Sequence, residues 1–187
     1  MESDSRLTEL SCPVAFLPLG RHHEVESFDC GIESLDLFIR KYALTGPSQG
    51  LTQTWVAVAP DDLATVLAYY TLGIASVMAS AAPLRVAKGV PAHYGVPCVL
   101  LARLAVRSDV QGDGLGSIVL EQAMRKALQL AKPVKPGDRL PMRAMLVHAL
   151  NEDVVGFYTR RGFEPMPGEP LHLMALFKDI EKSFRSV

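Results

Sequence analysis

The hexapeptide Gln111-Gly112-Asp113-Gly114-Leu115-Gly116 carries three glycines in six positions. An apolar run, Val99–Val106, leads into it through a short polar link, and a helix pattern follows at once. Such a loop leaves backbone N–H groups free at a helix N-terminus, where the helix dipole favours a negative charge. Glycine allows the tight turn and the close approach of backbone to ligand. The chemistry indicated is binding of a phosphate or pyrophosphate. A turn that binds nothing is the alternative the loop alone leaves open. Two phosphate motifs fit poorly. A P-loop needs Lys and Ser/Thr after its last glycine, and this chain has Gly116-Ser117-Ile118. A dinucleotide fingerprint needs G-x-G-x-x-G and an acid about 20 residues on. Here the spacing is G-x-G-x-G, and the acid nearest that range, Asp138, lies in a Pro/Gly stretch.

A third pattern, Q/R-x-x-G-x-G/A after a strand, fits without a mismatch. In this the loop resembles the GNAT acyltransferases, in which it holds the pyrophosphate of coenzyme A. A second segment, Asn151-Glu-Asp-Val-Val-Gly-Phe157-Tyr158-Thr-Arg-Arg-Gly162-Phe163, follows the short apolar run Met142–His148. Asn151 suits an N-cap, Glu152 and Asp153 suit the first turn, Arg160 and Arg161 the last, and Gly162 the C′ position. The sequence therefore predicts a helix over Asn151–Arg161. It resembles the GNAT signature N-x-x-x-x-x-F-Y-x-x-x-G-F. The resemblance assigns cofactor contact to Leu104, Ala105, Val106, Gln111, Gly112, Asp113, Gly114, Leu115, Gly116 and Asn151, and the general acid to Tyr158.

A third stretch narrows the branch. Phe28-Asp-Cys-Gly31 with Leu35-Asp36-Leu-Phe38, Tyr69-Tyr70, and Leu146-Val-His148-Ala-Leu150 are similar to the TacT/AtaT-type toxins of type II toxin–antitoxin systems. That resemblance implies acetyl-CoA as cofactor, aminoacyl-tRNA as acceptor, blocked translation, a ribbon-helix-helix antitoxin as partner, a homodimer and a cytoplasmic setting. An ordinary acetyltransferase of a small amine or peptide N-terminus, an enzyme preferring a longer acyl chain, and a catalytically silent binding module remain alternatives.

Chemistry supports the acid role. A thiol leaving group has a reference pKa of ~8.5 against ~10 for tyrosine, so Tyr158 is protonated near neutrality and can donate. No carboxylate stands out as base. An α-amine at ~7.7–8.0 needs little help, whereas a lysine at ~10.4 needs more, which favours an α-amino acceptor. A core aromatic beside Phe157 is the plainer reading of Tyr158.

The elements that must position these groups form one mixed pattern over residues 1–187. Strands are expected at Val14–Leu19, Thr52–Ala59, Ala64–Ile74, Pro97–Val106, Met142–His148, Phe163–Met166 and Leu171–Phe177. A hairpin turn at Pro60-Asp61-Asp62 would join the second and third. Helices are expected at Glu33–Leu44 (inner face Leu35, Phe38, Ile39, Tyr42), near Leu84–Lys88, and at Leu115–Ala131 (Leu120, Ala123, Ala127, Leu130 in register). This reads as a single α/β (α+β) domain of the GNAT acyl-CoA N-acyltransferase fold, a mostly antiparallel sheet flanked by helices.

At 187 residues and 49% hydrophobic, the chain can bury a sizeable core. It has no run of 18 apolar residues and no basic-then-apolar leader, so neither a membrane span nor a signal peptide is expected. Cys12, Cys30 and Cys98 show no zinc or disulfide spacing and suit a reducing compartment. Nothing in sequence links a base to Cys30. His22-His23 lacks metal partners. Residues 1–36 hold two arginines against eight acids, −6, and residues 37–187 hold 17 basic residues against 12 acids, +5. Arg40, Lys41, Arg85, Lys88, Lys132, Lys135, Arg139, Arg160 and Arg161 are candidates for phosphate contacts with RNA, or a solvated face. His148 reads as a hydrogen-bonded structural histidine or a substrate-orienting one. Trp55 reads as core. Of Tyr69 and Tyr70, one should face the core and the other the acceptor.

Overall fold

A computed structural model describes residues 13–131 and 141–185. Cys12, Lys132, Lys135, Arg139 and most of the Lys132–Pro141 segment lie outside the described residues. The elements run β1 (Ala15–Pro18), α1 (Glu33–Lys41), β2 (Thr52–Val58), β3 (Ala68–Met78), α2 (Leu84–Ala87), β4 (Gly95–Val106) and α3 (Leu115–Ala131). Then follow β5 (Ala144–His148), α4 (Val155–Thr159), β6 (Glu164–Met166), β7 (Glu169–Leu176) and α5 (Phe177–Arg185). The strands order as β1-β2-β3-β4-β5-β7-β6, the mixed sheet expected. The chain divides into two compact units. Of the described residues, the first comprises 13–70 with 103–121, and the second 71–102 with 122–131 and 141–185.

In the first unit β1 pairs antiparallel with β2, from Ala15↔Val58 to Pro18↔Trp55. Phe28, Ile39, Val56, Val58, Val66, Tyr69 and Ala105 form its core. Glu33 and Asp36 in the first turn of α1, with Arg40 and Lys41 in the last, match the helix dipole. Leu35, Phe38 and Ile39 face inward as expected. The helix stops at Lys41 rather than Leu44, and Tyr42 is 55% exposed instead of lining the inner face. Polar side chains compete for the backbone there: Thr45 Oγ1 donates to Tyr42 O at 2.8 Å and Ser48 Oγ to Thr45 O at 2.9 Å.

β3 starts four residues later than expected. Asp62 Oδ1 accepts the N–H groups of Ala64 and Thr65 at 3.1 and 3.2 Å, holding the chain in a turn past the Pro60–Asp62 corner. Tyr69 and Tyr70 alternate across β3, yet both are fully buried. Tyr69 meets Phe28 edge-on at 5.4 Å, and Tyr70 stacks on the buried Trp55 at 5.4 Å. The expectation of one acceptor-facing tyrosine is therefore corrected: both faces of the strand are covered here.

In the second unit β4 and β5 run parallel, Cys98↔Ala144 to Leu101↔Val147. β5 pairs antiparallel with β7, and β7 with β6. Val86, Val96, Cys98, Ala144, Leu146, Met166, Met174 and Leu176 make the core.

Helix α3 has the predicted bounds. Its buried stripe is Val119, Leu120, Ala123, Met124, Ala127, Leu128 and Ala131, whereas Leu130 is 59% exposed. At 100° per residue, position 131 rather than 130 continues the 120–124–127 face. Helix α5 was not anticipated. Its Phe177 and Ile180 are buried, and Phe184 lies under the Arg125 guanidinium at 4.0 Å. Arg85 donates to Glu164 and Asp179 at 2.8 and 2.7 Å, tying the start of β6 to α5. Among the described residues no helix is long and apolar enough to cross a membrane.

Candidate functional site

The glycine loop grows directly out of the core of the first unit. Ala105 and Val106 at the end of β4 are buried and Leu104 half-buried. Arg107 N–H closes the strand on Leu67 O at 2.8 Å, and one tight turn, Ser108–Val110, delivers Gln111. Gly112 and Gly114 then adopt φ of +94° and +83°, and α3 begins at Leu115. All positive-φ residues in the described chain are glycines. A Cβ on Gly112 would meet nothing within 4 Å, so the backbone angle, not crowding, demands glycine there. Gln111, Gly112 and Asp113 are exposed while Leu115 is buried, which pins the first turn of α3 and leaves the loop open to solvent. N–H groups of a first helical turn have no partner within the helix. In this chain Ser117 N–H and Ile118 N–H bond back to Gly114 O at 3.0 and 3.4 Å.

The Gln111 side chain does not point at that opening. Its Nε2 donates to Cys30 O at 3.0 Å and to Val106 O at 2.8 Å. Beside it, Arg107 Nε donates to Asp109 Oδ1 at 2.6 Å, and this guanidinium holds the Asp109 carboxyl below its ordinary value.

In the second unit, Asn151 is extended and its Oδ1 accepts Val154 N–H at 3.3 Å, the N-cap expected. The helix it starts is shorter than expected: a single tight turn, Glu152–Val154, and then α4 of five residues. The end is as read. Gly162 has φ +85°, and Phe163 N–H returns to Tyr158 O at 3.3 Å.

Tyr158 sits on α4 with its ring edge-on to Phe157 at 5.1 Å and to Phe163 at 5.9 Å. The residue is 8% exposed, and burial pushes its hydroxyl up to about 12. Three buried tyrosines can be compared. Tyr69 Oη donates to Leu35 O at 2.8 Å. Tyr70 Oη is sealed without a partner. The Tyr158 hydroxyl has no protein partner among the described residues and is not one of the sealed atoms. A packed ring with an available, protonated hydroxyl is what a positioned proton donor requires.

The remaining candidates fall out differently. Cys30 is buried, with its Sγ donating to Ile32 O at 3.8 Å, and burial pushes the thiol up to about 11. Cys98 is pushed up to about 12 for the same reason. Neither is an activated nucleophile. His23 Nδ1 accepts Gly20 N–H at 2.9 Å, and burial lowers its pKa. No group of metal-binding side chains occurs among the described residues. His148 is exposed rather than buried, and stacks on its cross-strand partner His172 at 4.0 Å. Of the basic candidates, Arg40 donates to Phe28 O and Arg85 is engaged in its two ion pairs, whereas Lys41, Lys88, Arg160 and Arg161 are exposed. A cavity of about 750 Å³ in the first unit, lined by Arg21, His23, Glu26, Arg40 and Ser48 among others, includes no glycine-loop residue.

Burial raises the pKa of Cys30, Cys98, Tyr69, Tyr70 and Tyr158 alike, so the folded state holds protons the unfolded chain releases first. Their contribution to stability is complete below the ordinary thiol and phenol range and is lost as pH rises beyond ~8.5–10. The urea midpoint should therefore fall steadily above about pH 9. A midpoint flat to pH 11 would contradict this account of the buried groups.

The chain is 40% identical to the "tRNA-acetylating toxin" of Mycobacterium tuberculosis over 156 residues, 83% of this chain and 87% of that protein. It belongs to the tRNA-acetylating toxins. No protein-family model matches it. The fold agrees. AtaT complexed with acetyl-methionyl-tRNAfMet superposes with a TM-score of 0.79 at 27% identity, covering 92% of this chain and 99% of that one. A Tyr→Phe variant of AtaT bound to the C-terminus of the antitoxin AtaR and acetyl-CoA gives 0.74 at 25% identity, over 91% and 98%. The toxin is thus a GNAT-type acetyltransferase in fold and family, as the two motifs led one to expect. What the sequence reading of this toxin missed is the network around Phe28–Gly31 that receives Gln111. The adjacent acid in Phe-Asp-Cys-Gly and the serine after Arg107 were its only written signals.

Proposed function

We propose that this toxin acetylates the α-amine of aminoacyl-tRNA with acetyl-CoA as donor, and so stops peptide elongation. The observation that carries the reading is Tyr158: a buried, protonated phenol whose hydroxyl has no hydrogen-bond partner among the described residues and is not one of their sealed atoms. When bound, acetyl-CoA supplies an acyl group on a thioester, whose transfer to an amine forms an amide and frees a thiol.

The chain's own residues would act as follows. Backbone N–H groups of Gly112 to Gly116, at the start of α3, hold the pyrophosphate. Asp113 takes part through its backbone, since its carboxylate would repel phosphate. Backbone groups of Leu104, Ala105 and Val106 hold the cofactor's amides, and one N–H polarises the acyl carbonyl. Asn151 has its Oδ1 committed to the cap, which leaves its amide N–H groups for the cofactor. Tyr158 Oη donates toward the departing sulfur. The amine nitrogen loses one proton as the amide forms and the sulfur gains one, so the phenol ends as it began. An α-amine near ~7.7–8.0 is sufficiently neutral without a dedicated base.

Finer readings go with this one. An aminoacyl-tRNA acceptor supports a cytoplasmic setting, and the resemblance to the AtaT-type toxins supports a ribbon-helix-helix antitoxin that would restrain the toxin and a homodimeric assembly. Lys41, Lys88, Arg160 and Arg161 are exposed cations available to RNA phosphates.

A reconstituted translation reaction tests the reading through cofactor removal. Added toxin should stop protein synthesis when acetyl-CoA is present and leave it running when acetyl-CoA is omitted. Inhibition independent of acetyl-CoA, or none with it, would overturn the proposal.

A further inference from the structure

We infer that the Gln111 side chain is a positioning group that hangs the glycine loop on the Phe28–Gly31 turn, and is not a phosphate ligand. The inference rests on reading Gln111–Gly116 as the pyrophosphate loop. Cys30 O and Val106 O, at 3.0 and 2.8 Å, are both carbonyl oxygens and only accept. The amide must therefore face them with its nitrogen, and both of its hydrogens are used. What remains toward solvent is Oε1, an acceptor, which a phosphate oxygen repels.

The turn that receives Gln111 is braced on every side. Ser108 N–H and Oγ–H both donate to Asp29 O, at 2.8 and 2.9 Å. With the Gln111 bond to Cys30, three hydrogen bonds clip residues 29–30 to residues 108–111. Behind the turn, the buried Asp36 carboxylate accepts Cys30 N–H at 2.9 Å, and Asp29 Oδ1 accepts Gly31 N–H at 2.8 Å. The Arg40 guanidinium donates to Phe28 O. Gly31 has φ +82°, and the Phe28 side chain is fully buried against Tyr69. The turn is thus anchored in the core by Phe28 and in α1 by Asp36 and Arg40.

The loop needs such an anchor. Two left-handed glycines in three residues give it many alternative conformations. An anion is bound well only if the N–H groups already converge, because ordering the loop on binding subtracts from affinity. The Phe-Asp-Cys-Gly segment, far from the loop in sequence, supplies that order.

Hydrogen exchange on the full-length, ligand-free protein decides the matter. Gln111→Ala should speed exchange across residues 108–116 by about tenfold, the loss of two modest hydrogen bonds, and leave β5 and β7 unchanged. Gln111→Glu, which turns a carboxylate onto two carbonyls, should speed it further. Adding Gly31→Ala, which strains the turn itself, should have less effect in Gln111→Ala than in the wild type. In the same variants the KM for acetyl-CoA should rise by a larger factor than kcat falls. Wild-type exchange in ligand-free Gln111→Ala, with acetyl-CoA binding weakened, would make Gln111 a direct ligand and overturn the inference. Wild-type protein that fails to bind acetyl-CoA would instead sink the loop reading, while the exchange rates still judged the bracket.

Discussion

Replacing Tyr158 with phenylalanine is expected to lower kcat by about 10²–10⁴, the usual contribution of a positioned proton donor, with acetyl-CoA affinity retained. The substitution removes one oxygen and keeps the ring between Phe157 and Phe163. It breaks no protein hydrogen bond among the described residues. Thermal stability should therefore change little, which separates a chemical loss from a structural one. The pH dependence gives a second check. With the hydroxyl at about 12, no acid is lost in the accessible range. The wild-type rate should rise through the ~7.7–8.0 of an α-amine and then level off. A descending limb near pH 8–9 would mean that some other group donates the proton. Tyr158→Phe with near wild-type kcat would remove Tyr158 from the mechanism.

Gly112→Val should raise the Kd for acetyl-CoA by about ten- to hundredfold. At φ +94° a β-branched residue is strained, and because nothing crowds the added Cβ the effect must act through the backbone angle. Relief of that strain would change the φ of Gly112 and so reorient the neighbouring backbone N–H groups. Gly168→Val is the companion variant. Gly168, at φ +77° between β6 and β7, imposes a similar strain outside the loop. It should lower the melting temperature while leaving acetyl-CoA affinity unchanged. Equal losses of affinity in both variants would show that general destabilisation, not loop geometry, is responsible.

Where sequence reading worked, the cause was local. α3 runs over Leu115–Ala131 as read because an apolar stripe of regular period and a glycine start determine a helix without outside help. Asn151 caps, and Gly162 ends its helix, because caps are settled by one side chain and one φ value. The errors came from contacts between segments distant in sequence, or from competing side chains. Asp62 delays β3 by capturing two N–H groups. Tyr70 is buried because Trp55, fifteen positions earlier, covers its face of the strand. The α5 pattern Phe177, Ile180, Phe184 was available but follows a strand with no break. Gln111 shows the limit most clearly. Its type fitted a phosphate-binding pattern, while its partner, Cys30, lies 81 residues away.

The most direct measurement is mass spectrometry of total aminoacyl-tRNA after incubation with the toxin and isotopically labelled acetyl-CoA. Aminoacyl-adenosine ends carrying one labelled acetyl on the α-amine, with no label from the Tyr158→Phe protein, are the expected result. Unlabelled aminoacyl-tRNA beside labelled small amines or protein N-termini would contradict the account.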